Sequence, residues 1–195
     1  MQGNSGAGSY GRLAKFKAEI LNAFVDGHGI ERVMEFGSGD GNQLALFHFK
    51  QYTGFDVSRS VIELTRKKYA GDAGKTFLHT DQYKGQTAEL TLSLDVIYHL
   101  VEDEVFDAYM HRLFDAAEKY VIIYASDADT QTLPTVAVPH VKHRGFLAWV
   151  RTHKKNWDCI KHIPNRYPIP HSAGSQDTLQ DTSFSDFYIF ARRNI

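Results

Sequence analysis

Nine residues constrain this chain more than any others: Val33-Met34-Glu35-Phe36-Gly37-Ser38-Gly39-Asp40-Gly41. A short apolar run closed by glycines reads as a buried strand, and the glycines let the backbone turn sharply and approach a ligand closely. An amphipathic stretch opens near Asn42, with Leu44, Ala45, Phe47 and His48 as its early positions. The expected order is therefore strand, glycine turn, helix start. At such a turn the free N–H groups of the first helical turn face whatever lies beyond the carboxyl end of the strand. That is a nucleotide-type site.

Spacing helps to separate two cofactor classes. A dinucleotide fingerprint, G-x-G-x-x-G, needs a third glycine where this chain has Asn42. The turn reads instead Glu-x-Gly-x-Gly-x-Gly from Glu35 to Gly41. Downstream, Tyr52-Thr53-Gly54-Phe55-Asp56 reads as a second strand ending in an acid, nineteen positions after Gly37. A carboxylate there accepts both ribose hydroxyls, which supports a ribose and does not choose the cofactor. The turn resembles the first motif of class I S-adenosylmethionine (SAM)-dependent methyltransferases, and Asp56 is a second match. The resemblance implies SAM as cofactor, held by Glu35, Gly37, Ser38, Gly39, Asn42, Asp56 and Val57. It also implies a three-layer Rossmann-like α/β sandwich, with a seven-stranded, mostly parallel sheet whose last strand is antiparallel.

At 195 residues and 43% hydrophobic, the chain suits one domain with a full core and is short for two. Its net charge of −1 and the lack of a basic run give no general attraction to a polyanion, so nucleic acid is not the expected substrate. No apolar stretch approaches the roughly 20 residues of a membrane span. The polar start Met1-Gln2-Gly3-Asn4-Ser5 lacks the apolar core of a signal peptide. Cys159 is the single cysteine, which rules out an intrachain disulfide. The expectation is a soluble, cytoplasmic protein that binds no membrane, as a monomer or homodimer.

Gly3, Gly6, Gly8 and Gly11 make residues 1–12 a glycine-rich segment that also carries Tyr10 and Arg12. It is either a tail or a lid that folds over the cofactor with Arg12 meeting a carboxylate. Leu13, Phe16, Ile20, Leu21 and Phe24 recur at helical spacing, so residues 13–25 form an amphipathic helix closed by Gly27 and Gly29. Residues 57–69 read as a second crossover helix capped by Ser58. Residues 76–79 make a short third strand, closely followed by Asp81 and Gln82. In the family pattern an acid or amide at this point faces the adenine amino group, a donor that needs an acceptor. The alternative for Asp81 is a solvated loop acid.

Residues 88–94 form the fourth strand, leading into Leu94-Asp95-Val96-Ile97-Tyr98-His99-Leu100. The resemblance makes this the segment facing the methyl group and the acceptor, with Leu94 and Asp95 toward the cofactor. His99 is then the candidate general base and Tyr98 lines the acceptor pocket; the alternative is a structural or orienting histidine. Glu102-Asp103-Glu104 opens a helix whose apolar set, Val105, Phe106, Tyr109, Met110, Leu113, Phe114 and Ala117, reads as core. After a fifth strand at residues 120–124, the chain to Pro139 reads as a loop. His140, Lys142, His143 and Arg144 follow, before a helical stretch at residues 145–153. These cations either hold an anionic acceptor group, with His140, His143 and Arg144 as substrate-binding residues, or form a solvated face. Residues 157–163 and 184–192 read as two last strands that pair antiparallel, because their connection lacks room for a packed crossover helix.

Ten histidines invite a metal, and His140-x-x-His143 has a helix-compatible spacing, but no second cysteine and no H-E-x-x-H supports zinc. Metal-dependent O-methyltransferases gather acids after the fourth and fifth strands, where this chain has Asp95, Asp127 and Asp129. The adjacent Asp-Asn pair of such a site is missing, and the reading is no metal. No G-x-S-x-G occurs, so a serine hydrolase is set aside. The chain is expected to move a methyl group from SAM to an oxygen or nitrogen of a small molecule or sugar/glycan acceptor. A non-catalytic SAM-binding or regulatory domain is the main alternative, and an NAD-linked oxidoreductase the third.

Overall fold

The computed structural model describes residues 6–128, 141–169 and 181–193. Seven strands, β1 (Arg32–Phe36), β2 (Gln51–Asp56), β3 (Lys75–His79), β4 (Ala88–Leu94), β5 (Ala117–Ala125), β6 (Trp157–Ile163) and β7 (Asp186–Arg192), form one sheet in the order β3-β2-β1-β4-β5-β7-β6. Strands β1 to β5 pair in parallel, and β7 runs antiparallel to both β5 and β6. This is the mostly parallel sheet with an antiparallel last strand that the resemblance implied. From β1 the chain builds outward to β2 and β3 and then returns to add β4 on the other side. The crevice at the carboxyl ends of β1 and β4 is therefore a topological switch point, where open sheets take ligands.

Side-chain alternation along the strands splits the core into two layers. On one face α1 (Gly11–His28) packs Phe16, Leu21 and Phe24 against Val33, Tyr52, Leu90, Leu92 and Tyr124. On the other, Phe106, Met110, Leu113 and Phe114 of α3 (Asp103–Asp115) and Phe146 and Val150 of α4 (Phe146–His153) cover Met34, Phe36, Phe55, Val121 and Ile123. Each such fully buried apolar side chain contributes roughly 1.5–3 kcal/mol. Every residue of β4 is buried, as a central strand covered on both faces must be.

The helix ends follow local chemistry. Gly29 takes the left-handed conformation at φ 60° and returns its N–H to the Val25 carbonyl, which closes α1 three residues beyond the expected end. Ser58 caps α2 (Arg59–Lys68) by accepting from the Val61 N–H.

Three expectations are corrected. The stretch after Asn42 is not a crossover helix but a single 3-10 turn, Gln43–Leu46; beyond it Phe47 and Phe49 are buried while His48 and Lys50 are exposed, an extended alternation that leads into β2. Val105 is exposed on α3 and not part of the core. The last strand starts at Asp186, which leaves Phe184 and Ser185 in the loop beside β4.

Candidate active site

Strand register gathers the acids. Glu35 pairs with Gly54 of β2 and Leu92 of β4, so Asp56 and Asp95 emerge at the same edge as the glycine turn. The turn itself is tightly fitted. At Gly37, φ is 89° and a Cβ would stand 2.4 Å from Val96 Cγ2. A Cβ on Gly54 would meet Ser38 Cβ at 2.7 Å and the Tyr52 ring at 2.9 Å. Real side chains do not approach that closely, so the turn can lie flat on β2 and against the β4 loop with glycine alone at these positions.

Asp56 is oriented by this turn. Its Oδ2 accepts from the Gly39 N–H and its Oδ1 from the Ser58 N–H, both at 2.9 Å. Glu35 lies deeper, 1% exposed, with Oε2 accepting from the Tyr52 hydroxyl at 2.6 Å. Its Oε1 is buried and has no hydrogen-bond partner among the described residues. Burial pushes the Glu35 carboxyl up to about 7, against the hydrogen bond from Tyr52 and the charge of Lys17, which pull it down. The Gln43 Oε1 next in the turn is likewise buried and unmatched among the described residues. Buried acceptors of this kind mark places where a donor belongs.

Asp95 holds a left-handed backbone, φ 60°, which is uncommon for a residue with a side chain. Its Oδ2 accepts from Lys17 Nζ at 2.7 Å, and its Oδ1 from the Tyr98 and Ser185 hydroxyls at 3.1 Å each. Lys17 is fully buried on α1, 5.2 Å from the centre of the Tyr124 ring, and among the described residues its one hydrogen bond goes to Asp95.

The segment ahead of α1 packs across this edge. The Tyr10 hydroxyl donates to Asp40 Oδ2 at 2.8 Å, Asn42 Nδ2 donates to the Ser9 carbonyl at 2.8 Å, and Gly8 lies so close that a Cβ there would be 2.7 Å from Asp95 Oδ2. Residues 1–5 of the glycine-rich segment lie outside the described residues. Arg12 does not join this packing. It is exposed, stacks over Tyr167 at 4.4 Å and donates to the Asp181 carbonyl.

On the far side of Asp56, Val57 is 77% exposed, an apolar side chain presented to solvent. Asp81 is also exposed, paired with Arg59 at 3.1 Å and with His79 at 3.0 Å, while Gln82 Oε1 accepts from the His79 N–H. Leu94 is buried in the core on the α1 face.

Past β4, Tyr98 turns inward onto Asp95, and burial together with that carboxylate raises its hydroxyl well above the usual range. His99 is exposed and its ring lies 4.6 Å from that of Tyr98. His143 is buried, shares a hydrogen bond with Ser126 Oγ at 2.6 Å, and meets Phe184 edge-on at 4.5 Å; burial lowers its pKa. Arg144 is committed to its own fold. It donates to the Leu100 and Val101 carbonyls, pairs with Asp103 and stacks over Phe106. His140 and Asp129 lie outside the described residues, and among the described residues no group of three His, Cys, Asp or Glu side chains is arranged to hold a metal ion.

The structure thus brings together Tyr10, Glu35, Gly37, Ser38, Gly39, Asn42, Asp56 and Asp95, and separates Arg12 and Arg144 from them. Sequence reasoning missed Lys17, Tyr52 and Ser185. One signal for Lys17 was present: it falls on the buried stripe of α1, between Phe16 and Leu21, where an unpaired lysine would be costly.

No protein-family model matches the chain, and no curated protein matches it. Solved structures do. The N-methyltransferase NodS from Bradyrhizobium japonicum WM9, in complex with S-adenosyl-L-homocysteine, superposes over 92% of this chain and 87% of its own with a TM-score of 0.68 at 13% identity. The fold is that of the class I SAM-dependent methyltransferases. Magnesium protoporphyrin IX methyltransferase (ChlM) from Synechocystis PCC 6803 with bound SAM shares this class I fold over 93% of this chain and 81% of its own, TM-score 0.63, 16% identity. So does the methyltransferase domain of bacterial CtHen1-CN, over 90% and 97%, TM-score 0.63, 18% identity.

Proposed function

We propose that this chain is a SAM-dependent methyltransferase acting on an oxygen or nitrogen of a small-molecule or sugar acceptor. The observation that carries the reading is the clustering of acidic groups at the site. Glu35, Asp56 and Asp95 stand at the ends of three adjacent strands around the glycine turn, with Asp40 on the turn itself and one buried cation, Lys17, beside them. Such a site suits a ligand with a sulfonium and an ammonium. It opposes the diphosphate of NAD, whose two negative charges would face Asp40 and Asp56 with no unpaired cation of the described site beside them.

In this reading Asp56 takes the ribose hydroxyls, Val57 offers an apolar surface to the adenine, and Asp81 and Gln82 supply acceptors at its edge. Glu35, with Ser38 and Asn42 in the turn, faces the methionine end. Lys17 replaces Arg12 as the cation nearest that end. SAM supplies an activated methyl group when bound, so the protein's work is alignment and proton removal. In the same reading His99, exposed beyond Tyr98, takes the acceptor's proton, and Tyr98 and His143 line the space beside it. The modest net charge of −1 favours a small acceptor over nucleic acid. No helix among the described residues is long and apolar enough to cross a membrane.

The test is methyl transfer from labelled SAM to a panel of small-molecule and sugar acceptors. Turnover of one or more with formation of S-adenosyl-L-homocysteine supports the enzyme. Tight SAM binding without transfer to any acceptor class, nucleic acid and protein included, favours a non-catalytic SAM-binding domain.

A further inference from the structure

We propose that Glu35 is a specificity-determining residue that holds its proton below neutral pH in the free protein and releases it when a cationic ligand docks over the glycine turn. The inference rests on the cofactor reading above and adds how the site selects for positive charge. Geometry leads to it. Glu35 is 1% exposed and receives one hydrogen bond, from Tyr52 on β2, while Oε1 is buried with no partner among the described residues.

The groups facing Glu35 offer no free counter-charge. Lys17 on α1 is spent on Asp95, 2.7 Å away. Asp56 at the end of β2 and Asp95 beyond β4 are acids whose charge opposes ionisation of Glu35. Tyr109 on α3 and Tyr52 are neutral phenols raised by burial. A carboxylate created here is compensated only in part, by the Tyr52 hydroxyl and the more distant charge of Lys17, until a ligand brings a cation. With the carboxyl near 7 in the free protein, ligand binding and ionisation draw on the same equilibrium.

The experiment is calorimetric titration of SAM into the full chain between pH 5.5 and 7, below the range where the ligand's own α-amino group titrates, in buffers of different ionisation enthalpy. The proposal expects release of close to one proton at pH 6 and about half a proton at pH 7, with affinity about tenfold weaker at pH 6 than its plateau value. Glu35→Gln should abolish both the buffer dependence and the pH dependence. Tyr52→Phe, which removes the hydrogen bond favouring the carboxylate, should move the dependence to higher pH, and the wild-type buffer series decides the matter by itself if either variant does not fold. S-adenosyl-L-homocysteine, which has the ammonium but not the sulfonium, identifies the cation: release with both ligands assigns the ammonium, release with SAM alone the sulfonium. SAM binding with no buffer dependence overturns the proposal and leaves the cofactor reading standing, whereas no SAM binding at all overturns both.

Discussion

Lys17 Nζ lies 2.7 Å from Asp95 Oδ2, and this pair ties the first helix to the loop beyond the central strand. The lysine is completely buried and the aspartate side chain 19% exposed, so neither partner can fall back fully on water. Removing one partner of a buried pair leaves an uncompensated charge, at a cost of about 3–5 kcal/mol. Lys17→Met should therefore lower unfolding stability by an amount toward the lower end of that range, and the double variant Lys17→Met with Asp95→Asn should recover a good part of it. Denaturant unfolding of the two single variants and the double variant gives the coupling directly. Additive losses would show that the pair is not an energetic unit.

Asp56→Asn keeps the shape of the side chain but removes its charge. Asp56 already accepts from the Gly39 and Ser58 N–H groups, and a ribose would use its remaining lone pairs. SAM affinity should fall by about 1.5–3 kcal/mol, the scale of hydrogen bonds to a charged group. An unchanged dissociation constant in a folded variant would remove Asp56 from the site.

Stability of the ligand-free protein should depend on pH through Glu35. Its folded value of about 7 lies above the ordinary 4.5, so between these values the folded state holds more protons than the unfolded one. Stability is then greatest below about pH 4.5 as far as this group is concerned and declines as pH rises to 7, by up to about 3 kcal/mol. Unfolding free energies measured from pH 5 to 8 should show this decline, and Glu35→Gln should flatten it. Parallel slopes in the two proteins would place the pH dependence elsewhere.

His99→Ala should lower kcat by about 100-fold or more with SAM affinity nearly intact, as expected when a general base is removed. Arg144→Ala should act differently. Because Arg144 holds the Leu100 and Val101 carbonyls and Asp103, its loss should lower the melting temperature without changing SAM affinity. Turnover by His99→Ala at the parent rate would move the search for the base to Tyr98 or His143.

Much of the sheet was legible in the sequence because strand period and glycine punctuation are local signals. The β4 stretch, residues 88–94, and the Ser58 cap needed no tertiary information. The turn after Asn42 misled because Leu44 and Phe47 fit helical spacing, while the alternation of Phe47, His48, Phe49 and Lys50 carried the extended conformation that the structure adopts. The candidate site was legible where one motif holds the residues, as from Glu35 to Asn42. It was not legible where partners come from distant elements. Lys17 and Asp95 are 78 positions apart, Ser185 and Asp95 90, and Arg12 and the Asp181 carbonyl 169.

A glycine turn ringed by acids that takes a cationic nucleoside must separate SAM from NAD. Parallel calorimetric titrations of SAM and NAD into the wild-type protein at pH 7.5 measure that separation. Saturable one-to-one binding of SAM and no detectable binding of NAD at the same concentrations are expected. Binding of NAD, with SAM silent, would overturn the assignment of this edge to SAM.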